Sequence, residues 1–397
     1  MMLPQRNLRL DLSVKIMLES ASCLSIGMHS SPSSGGADRY FYELTRALSK
    51  IDSKQRTFAF EDGEVPAWMT SLGTAKRPLS QRWSRIRELF NSLEGGSYLV
   101  ASHFALYALP LMFGRRAKRH IVHFHGPWAA ESSTEGGSKI SVLGKYFVEK
   151  LVYRQADHFI VLSEAFRQVL HSSYDIELDK ISIIPGGIEL HRFSPRLSRL
   201  EARRELGLRE DGFAIVCVRR LARRMGLENL IEAFSEISVR HPEAYLYIAG
   251  KGALHGELQE LCKAKGLGER VRLLGFVHDD ELPLLYRAAD LSIVPSQKLE
   301  GFGLVTLESL ACGTPVMVTP VGGLPEPLRT FAPQLILDSA ATSSVSNGLE
   351  KVLSNRPMLP SSEACRAHAE TFSWDIIARE VLDIYRKGQS VESPAAA

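Results

Sequence analysis

The chain alternates short apolar runs with longer stretches whose apolar residues recur at spacings of three and four. In the first half, runs at 14–19, 57–60, 98–101, 121–125, 158–162 and 181–184 have the length of strands. Between them Tyr40, Phe41, Leu44, Ala47, Leu48 and Ile51 line one face of a helix predicted over 37–50, and helices are predicted over 138–155 and 164–171. In the second half strands are predicted at 213–218, 244–249, 271–274, 291–294, 316–319 and 335–337. Helices are predicted there over 226–240, 253–265, 280–288, 304–312, 342–354 and 373–387. Alternating strand and helix patterns with near-continuous apolar strands imply parallel sheets covered on both faces. The fold class is therefore α/β, with two Rossmann-like βαβ domains facing across a cleft. The proline- and charge-rich segment 191–212 separates units at 14–195 and 196–372. An extension at 1–13, a helix at 373–388 and a polar tail at 389–397, predicted to be disordered, complete the chain.

Composition narrows this picture without changing it. A 397-residue chain with 45% hydrophobic residues, 23% charged residues and a net charge of +3 has the balance of a globular protein. So small a net charge gives no sign of a nucleic-acid partner. The arginines are nevertheless clustered, in "RWSRIR" (82–87), "GRRAKRH" (114–120) and "RRLARR" (219–224). Five scattered cysteines without a CxxC pair suit buried thiols in a reducing compartment. No signal peptide or spanning helix is legible, so the expected location is cytoplasmic. The run Trp83, Ile86, Leu89, Phe90, interleaved with Arg82, Arg85 and Arg87, predicts peripheral contact with an anionic inner membrane face; a helix packed on the domain is the plainer alternative.

Ligands of doubly wound sheets bind beyond the carboxyl ends of the strands, so the residues that follow strands carry the chemistry. "SSPSSGGADRY" (30–40) sets Gly35 and Gly36 at a helix entry, where backbone N–H groups can approach an anion or a sugar. In "IVHFHGPW" (121–128) His123 and His125 share one strand face. No third ligand with metal-site spacing accompanies them, so His123 is expected to be a satisfied core histidine and His125 a substrate contact. In "LEGFGLVTLESLACGTPVMVTPVGG" (299–323), the amides of Gly303, Leu304 and Val305 open a helix and form an anion site. Glu308, one turn in, can accept hydrogen bonds from the vicinal hydroxyls of a ribose, and Glu300 can bond sugar hydroxyls.

Glycine-rich helix starts beside an arginine cluster point to a diphosphate whose departure builds negative charge. No Asp-x-Asp is present to hold a metal, which leaves arginine and helix dipole to stabilise it. Arg220 is the expected main cation and Arg223 the expected solvated charge; Arg219 and Arg224 are open to either role.

These residues resemble the retaining glycosyltransferases of family four, which have the GT-B fold. The resemblance rests on "RLARRMGLENLIEAF" (220–234), "AGKG" (249–252), "LLGFV" (273–277) and "EGFGLVTLESLACGTPVMVTPVGG" (300–323). "HFHG" (123–126), "IVLSE" (160–164) and "IPGGIELHRFSP" (184–195) follow in family order. The resemblance implies glycosyl transfer from a nucleotide-sugar to a glycan or lipid-linked acceptor, with retention of configuration and neither metal nor other cofactor. It places the acceptor on the first domain and the nucleotide-sugar on the second, and implies a final helix crossing back to the first domain. Carried over by position, Glu308 would hold the ribose, Glu300 the donor sugar and Arg220 the diphosphate, with the Gly303–Val305 amides beside it. His125 would lie near the reacting carbon, and Gly252, Phe276 and Val277 would flank the base. Two positions depart from the family pattern. Met225 stands where lysine is usual, leaving Arg224 as the neighbouring cation, and Gly186 replaces the asparagine of a Pro-Asn-Gly turn. Met225 supports an alternative, a weakly active or inactive nucleotide-sugar-binding partner subunit. A dinucleotide dehydrogenase is excluded by the lack of G-x-G-x-x-G after the first strand.

Overall fold

The computed structural model describes residues 23–27, 35–61, 64–92, 98–113, 117–194 and 196–387. The predicted extension at 1–13, the strand expected at 14–19 and the tail at 389–397 lie outside the described residues.

Two parallel sheets carry the architecture. The first contains β1 (Cys23–Ile26), β2 (Gln55–Ala59), β3 (Met69–Ser71), β4 (Leu99–Ser102), β5 (Arg119–Phe124), β6 (His158–Val161) and β7 (Ile181–Ile183). Their order is β3-β2-β1-β4-β5-β6-β7. The second contains β8 (Phe213–Val218), β9 (Ala244–Ala249), β10 (Val271–Gly275), β11 (Leu291–Val294) and β12 (Val316–Val318), in the order β10-β9-β8-β11-β12. Both are doubly wound: the strand order reverses between β1 and β4 in one sheet and between β8 and β11 in the other. Crevices open at those two switch points, and the two domains face each other there across a cleft.

The strands are buried on both faces because helices cover each side. In β8, Phe213, Ile215 and Cys217 pack into the largest apolar cluster, while Ala214 and Val216 pack into another on the opposite face. The helix Gly36–Ile51 turns Tyr40, Phe41, Leu44 and Leu48 inward. Ser198 and Glu201 form a reciprocal capping box that starts the helix Arg199–Glu205 at the entrance to the second domain.

Two expectations need correction, and a central strand was missed. The central strand of the first sheet is Cys23–Ile26, a run interrupted by Ser25 and too short to stand out as an apolar segment. No strand forms at 335–337; Ile336 makes one isolated bridge to Val318, because Pro333–Leu335 coils into a 3-10 turn at the sheet edge. The run at 82–90 does not present an apolar face to a membrane. It lies in the helix Leu79–Asn91, whose Ile86, Leu89 and Phe90 are buried against Leu24, Phe58 and Tyr107.

The helix Trp374–Arg386 crosses back to the first domain. Tyr385 Oη lies 2.7 Å from His123 Nε2, and the Ile384 carbonyl accepts from Arg119 at 2.8 Å. No described helix is long and apolar enough to cross a membrane. The five cysteines are free and buried.

Candidate active site

The second domain supplies two buried carboxylates after β11. Thr319 bonds back to the Val294 and Ser296 carbonyls, which steers the chain past Pro295 into the loop that carries Glu300. Gly303 opens the helix Leu304–Ala311 at φ 75°, in the left-handed region that favours glycine. Leu304 and Val305, half-buried, form the first turn of that helix, and Glu308 lies one turn further in, 2% exposed.

Arg219 rather than Arg220 meets Glu300. Arg219 extends the inward parity of Phe213, Ile215 and Cys217, and its amide continues the ladder by donating to Ala249 at 2.9 Å. Its guanidinium is buried, pairs with Glu300 Oε1, and donates to Ser296 Oγ and to Met225 Sδ, each at 2.8 Å. Burial pulls its pKa down to about 10, far enough above neutrality that it stays charged. Arg224 Nη1 stands 3.7 Å from the same Glu300 oxygen and donates to the Leu299 carbonyl at 3.2 Å. Met225 is itself buried, so the thioether fills the position where a lysine was expected and a guanidinium covers its sulfur.

Arg220 has the opposite parity and is exposed. It pairs with Glu135 at 3.0 Å, and Arg224 Nε lies 3.6 Å from the same oxygen. Glu135 belongs to the first domain, so an anion from across the cleft already faces both arginines. Arg223 is the most exposed of the cluster and pairs with Glu228 and Glu257 on the surface.

Glu308 has both oxygens engaged. Arg39 Nη1 donates to Oε1 at 2.5 Å and Tyr286 donates to Oε2 at 3.1 Å. Arg39 rises from the first helix of the other domain and also reaches Asp279 at 3.0 Å, where Arg192 joins it at 3.0 Å. Burial opposes the charge of Arg39, but the Glu308 and Asp279 carboxylates outweigh it and hold its pKa above the ordinary value.

The first domain contributes a histidine group. His125, just past β5, lies 3.2 Å from His103 Nδ1, while its own Nδ1 is buried without a partner. Burial lowers its pKa to about 4, so the ring is neutral at pH 7. His123 is the satisfied core histidine expected, held between Tyr40 Oη at 3.4 Å and Tyr385 Oη at 2.7 Å. His103 stacks on His123 with ring centroids 4.1 Å apart, so these rings lie over one another instead of converging on a point.

The remaining residues fall into two groups. Gly35 and Gly36 are exposed at the head of the first helix, where Arg39 donates its amide to the Gly35 carbonyl at 2.9 Å. Gly252 holds up the arginine loop: a Cβ there would sit 2.2 Å from the Leu221 carbonyl oxygen. Phe276 is exposed with Lys251 Nζ 4.4 Å from its ring centroid, and Val277 is half-buried. Both follow β10 and stand further out along the sheet than the carboxylates. The sequence reading missed Arg39, Ser296, Tyr286, Glu135 and the depth of Arg219. Only Arg39, three residues after the glycine pair, and Arg219, by its parity, left a signal. A wider groove lined by Ser80, Trp83, Ser84 and Arg87 lies on the helix Leu79–Asn91, away from these groups.

Comparison with known proteins places this geometry. Residues 34–192 match the family described as Glycosyltransferase Family 4, and residues 198–372 match Glycosyl transferases group 1. A D-inositol 3-phosphate glycosyltransferase of Salinispora arenicola is 31% identical over 418 residues, which cover 93% of this chain and 92% of that protein. The chain belongs to this glycosyltransferase family. An uncharacterized glycosyltransferase of Methanocaldococcus jannaschii is 34% identical to it over 245 residues, 60% of this chain and 62% of that protein. A D-inositol 3-phosphate glycosyltransferase of Salinispora tropica is 33% identical, and there the alignment spans 60% of this chain and about half, 52%, of the relative. Among solved structures, sucrose-phosphate synthase from Thermosynechococcus elongatus superposes with a TM-score of 0.76 at 23% identity, covering 92% of this chain and 98% of the other. Anabaena HepE in complex with UDP and glucose gives 0.73 at 19% identity, covering 92% and 100%. At such identities the likeness establishes the GT-B fold. This member of the family therefore presents Glu300, Glu308 and three arginines at the switch point of its second sheet, opposite the histidines of the first.

Proposed function

We propose that the chain transfers a glycosyl unit from a nucleotide-sugar to a glycan or lipid-linked acceptor, with retention of anomeric configuration and without a resident metal. The observation that carries this reading is the anchoring of Glu300 by Arg219, with Arg220 and Arg224 beside it, next to a helix N-terminus at a switch point. A nucleoside diphosphate leaving group gains charge in the transition state, and fixed cations and helix amides there stabilise that charge more than the ground state. In this reading the diphosphate replaces Glu135 opposite Arg220 and Arg224. Arg219 pairs with Glu300 and aims it, so that the carboxylate accepts from the donor sugar hydroxyls.

Glu308 would take the ribose hydroxyls, with Tyr286 fixing one oxygen and Arg39 ceding the other. His125, neutral at pH 7, holds the donor sugar by hydrogen bonding; with a pKa of about 4 it carries no acidic proton at that pH and is a weak base. The acceptor proton then passes to an oxygen of the departing phosphate. The partner-subunit alternative rests on Met225; the Arg219 guanidinium at that sulfur and Arg224 beside it favour the enzyme reading. A place in cell-surface polysaccharide or glycolipid synthesis is in keeping with the shared fold of WaaG, a glycosyltransferase involved in lipopolysaccharide biosynthesis, and the cytoplasm is the proposed location.

The test is a thermal-shift panel of UDP-, GDP- and ADP-sugars with and without EDTA, followed by NMR of the anomeric proton in the product. One stabilising donor, EDTA-insensitive turnover and a retained anomer are expected. No stabilising donor and no hydrolysis above background would sink the enzyme reading.

A further inference from the structure

The helix Lys139–Tyr153 packs only one side against its domain. Val152 and Tyr153 are buried, and Glu149 is buried beneath it, accepting from the Trp128 and Ala129 amides at 2.7 and 3.1 Å. The opposite side exposes Ile140 at 87%, Leu143 at 56%, Phe147 at 61% and Leu151 at 44%. Their spacings of three, four and four put them in a single stripe one helix long. Large apolar side chains that stay wet over a whole helix face mark an interaction surface.

Charge and position select the occupant. Lys139 and Arg154 stand exposed at the two ends of the stripe, and Lys150 lies along its edge. Of the nearby acids, Glu149 points inward and Asp175 balances Lys150 at 3.2 Å, so Lys139 and Arg154 leave the border of the stripe basic. An apolar stripe with a basic border fits the interface of an anionic bilayer, where the side chains enter the acyl boundary and the cations stay at the headgroups. The stripe also begins at the cleft: Ile140 follows by five residues Glu135, which faces Arg220 and Arg224.

We infer that the face Ile140–Leu143–Phe147–Leu151 seats the protein on an anionic membrane surface, with the donor site opening beside it, so that the acceptor is lipid-linked and is met at the bilayer. This inference rests on the proposed transfer reaction for the identity of the acceptor, but the surface itself does not depend on it.

The test is flotation of the full chain with phosphatidylcholine vesicles, with and without phosphatidylglycerol, alongside light scattering for oligomeric state. The Leu143→Gln/Phe147→Gln variant keeps helix propensity and removes the apolar centre. It is expected to lose vesicle binding by about tenfold or more, while its melting temperature and its thermal shift with the stabilising nucleotide-sugar are unchanged. Lys139→Glu/Arg154→Glu is expected to weaken binding to the phosphatidylglycerol vesicles alone. Equal binding by wild type and the glutamine variant overturns the inference, as does a wild type that never floats. A wild-type dimer that the glutamine variant converts to monomer, with no flotation by either, assigns the face to a second copy and also overturns it. If no nucleotide-sugar binds but flotation behaves as expected, the transfer reading fails and the membrane face stands.

Discussion

The arginine cluster holds a buried member, Arg219, and an exposed one, Arg220, that divide stability from rate. Arg219 is buried against Glu300, which is itself 7% exposed. Removing one partner of a buried ion pair typically costs roughly 3–5 kcal/mol, because the other is left charged without compensation. Here Arg224, 3.7 Å from the same carboxylate oxygen, and Ser296, 3.1 Å from it, recover part of that loss. Arg219→Met is therefore expected to destabilise by about 2–3 kcal/mol, and Glu300→Gln by a similar amount. The double variant leaves no orphaned charge and should lie within about 1 kcal/mol of wild type, a coupling of about 3 kcal/mol or more. Urea denaturation of the four proteins measures this directly. Arg220→Met should leave stability within about 0.5 kcal/mol, since an exposed pair contributes little. If Arg220 neutralises the leaving diphosphate, that same variant should lose about 10²–10³ in kcat. Additivity of Arg219→Met and Glu300→Gln within ~0.5 kcal/mol would refute the buried pair as the anchor of the site.

Glu308→Ala should abolish the thermal shift given by the stabilising nucleotide-sugar, and an unchanged shift would remove Glu308 from the ribose site. Gly252→Ala should force the Leu221 carbonyl away from a Cβ 2.2 Å distant, costing about 1–3 kcal/mol and depressing transfer through the displaced arginine loop. Full activity and stability in that variant would mean the loop moves freely. Acid should destabilise the fold through the buried histidines. His125 falls to about 4 and His103 and His123 lie well below their ordinary value, so all three are neutral in the folded state. The unfolded chain takes up their protons as pH drops below about 6.5, so their contribution is intact above that pH and lost on the way to pH 4. Each adds a slope of roughly 1.4 kcal/mol per pH unit in that window. Denaturation midpoints across pH 7 to 4.5 should show a shallower loss in His103→Asn than in wild type; identical slopes would place these rings in contact with solvent.

The fold was legible because each parallel strand had to be apolar on both faces, and the second sheet was read nearly residue for residue from 213 to 294. The edge at 335–337 was not, since its apolar residues satisfy a turn as well as a strand and only Pro333 decides between them. The carboxylates were legible from their glycine context, but their partners were not. Arg39 and Glu135 reach the site from the other domain, and no local pattern encodes a contact 269 residues away in sequence, such as that of Arg39 with Glu308. The division between Arg219 and Arg220 was available in the alternation of β8, had that alternation been carried one residue past the last apolar side chain. The two basic amphipathic helices show the opposite limit. Trp83–Phe90 and Ile140–Leu151 both read as apolar stripes with basic neighbours, and only tertiary packing reveals which of them has its apolar face already covered.

The return of Trp374–Arg386 to the first domain also sets an order of events during synthesis. Its Tyr385 supplies the hydroxyl that faces His123, a core histidine 262 residues upstream, and its Ile384 carbonyl receives Arg119. Until residue 385 is made, the first sheet lacks the hydroxyl that meets His123 Nε2, and an apolar flank of the Gly36–Ile51 helix stays open to water. The earlier-made domain is thus the later one to be finished, and a nascent chain paused anywhere in the second domain carries that unfinished flank as a binding site for a chaperone.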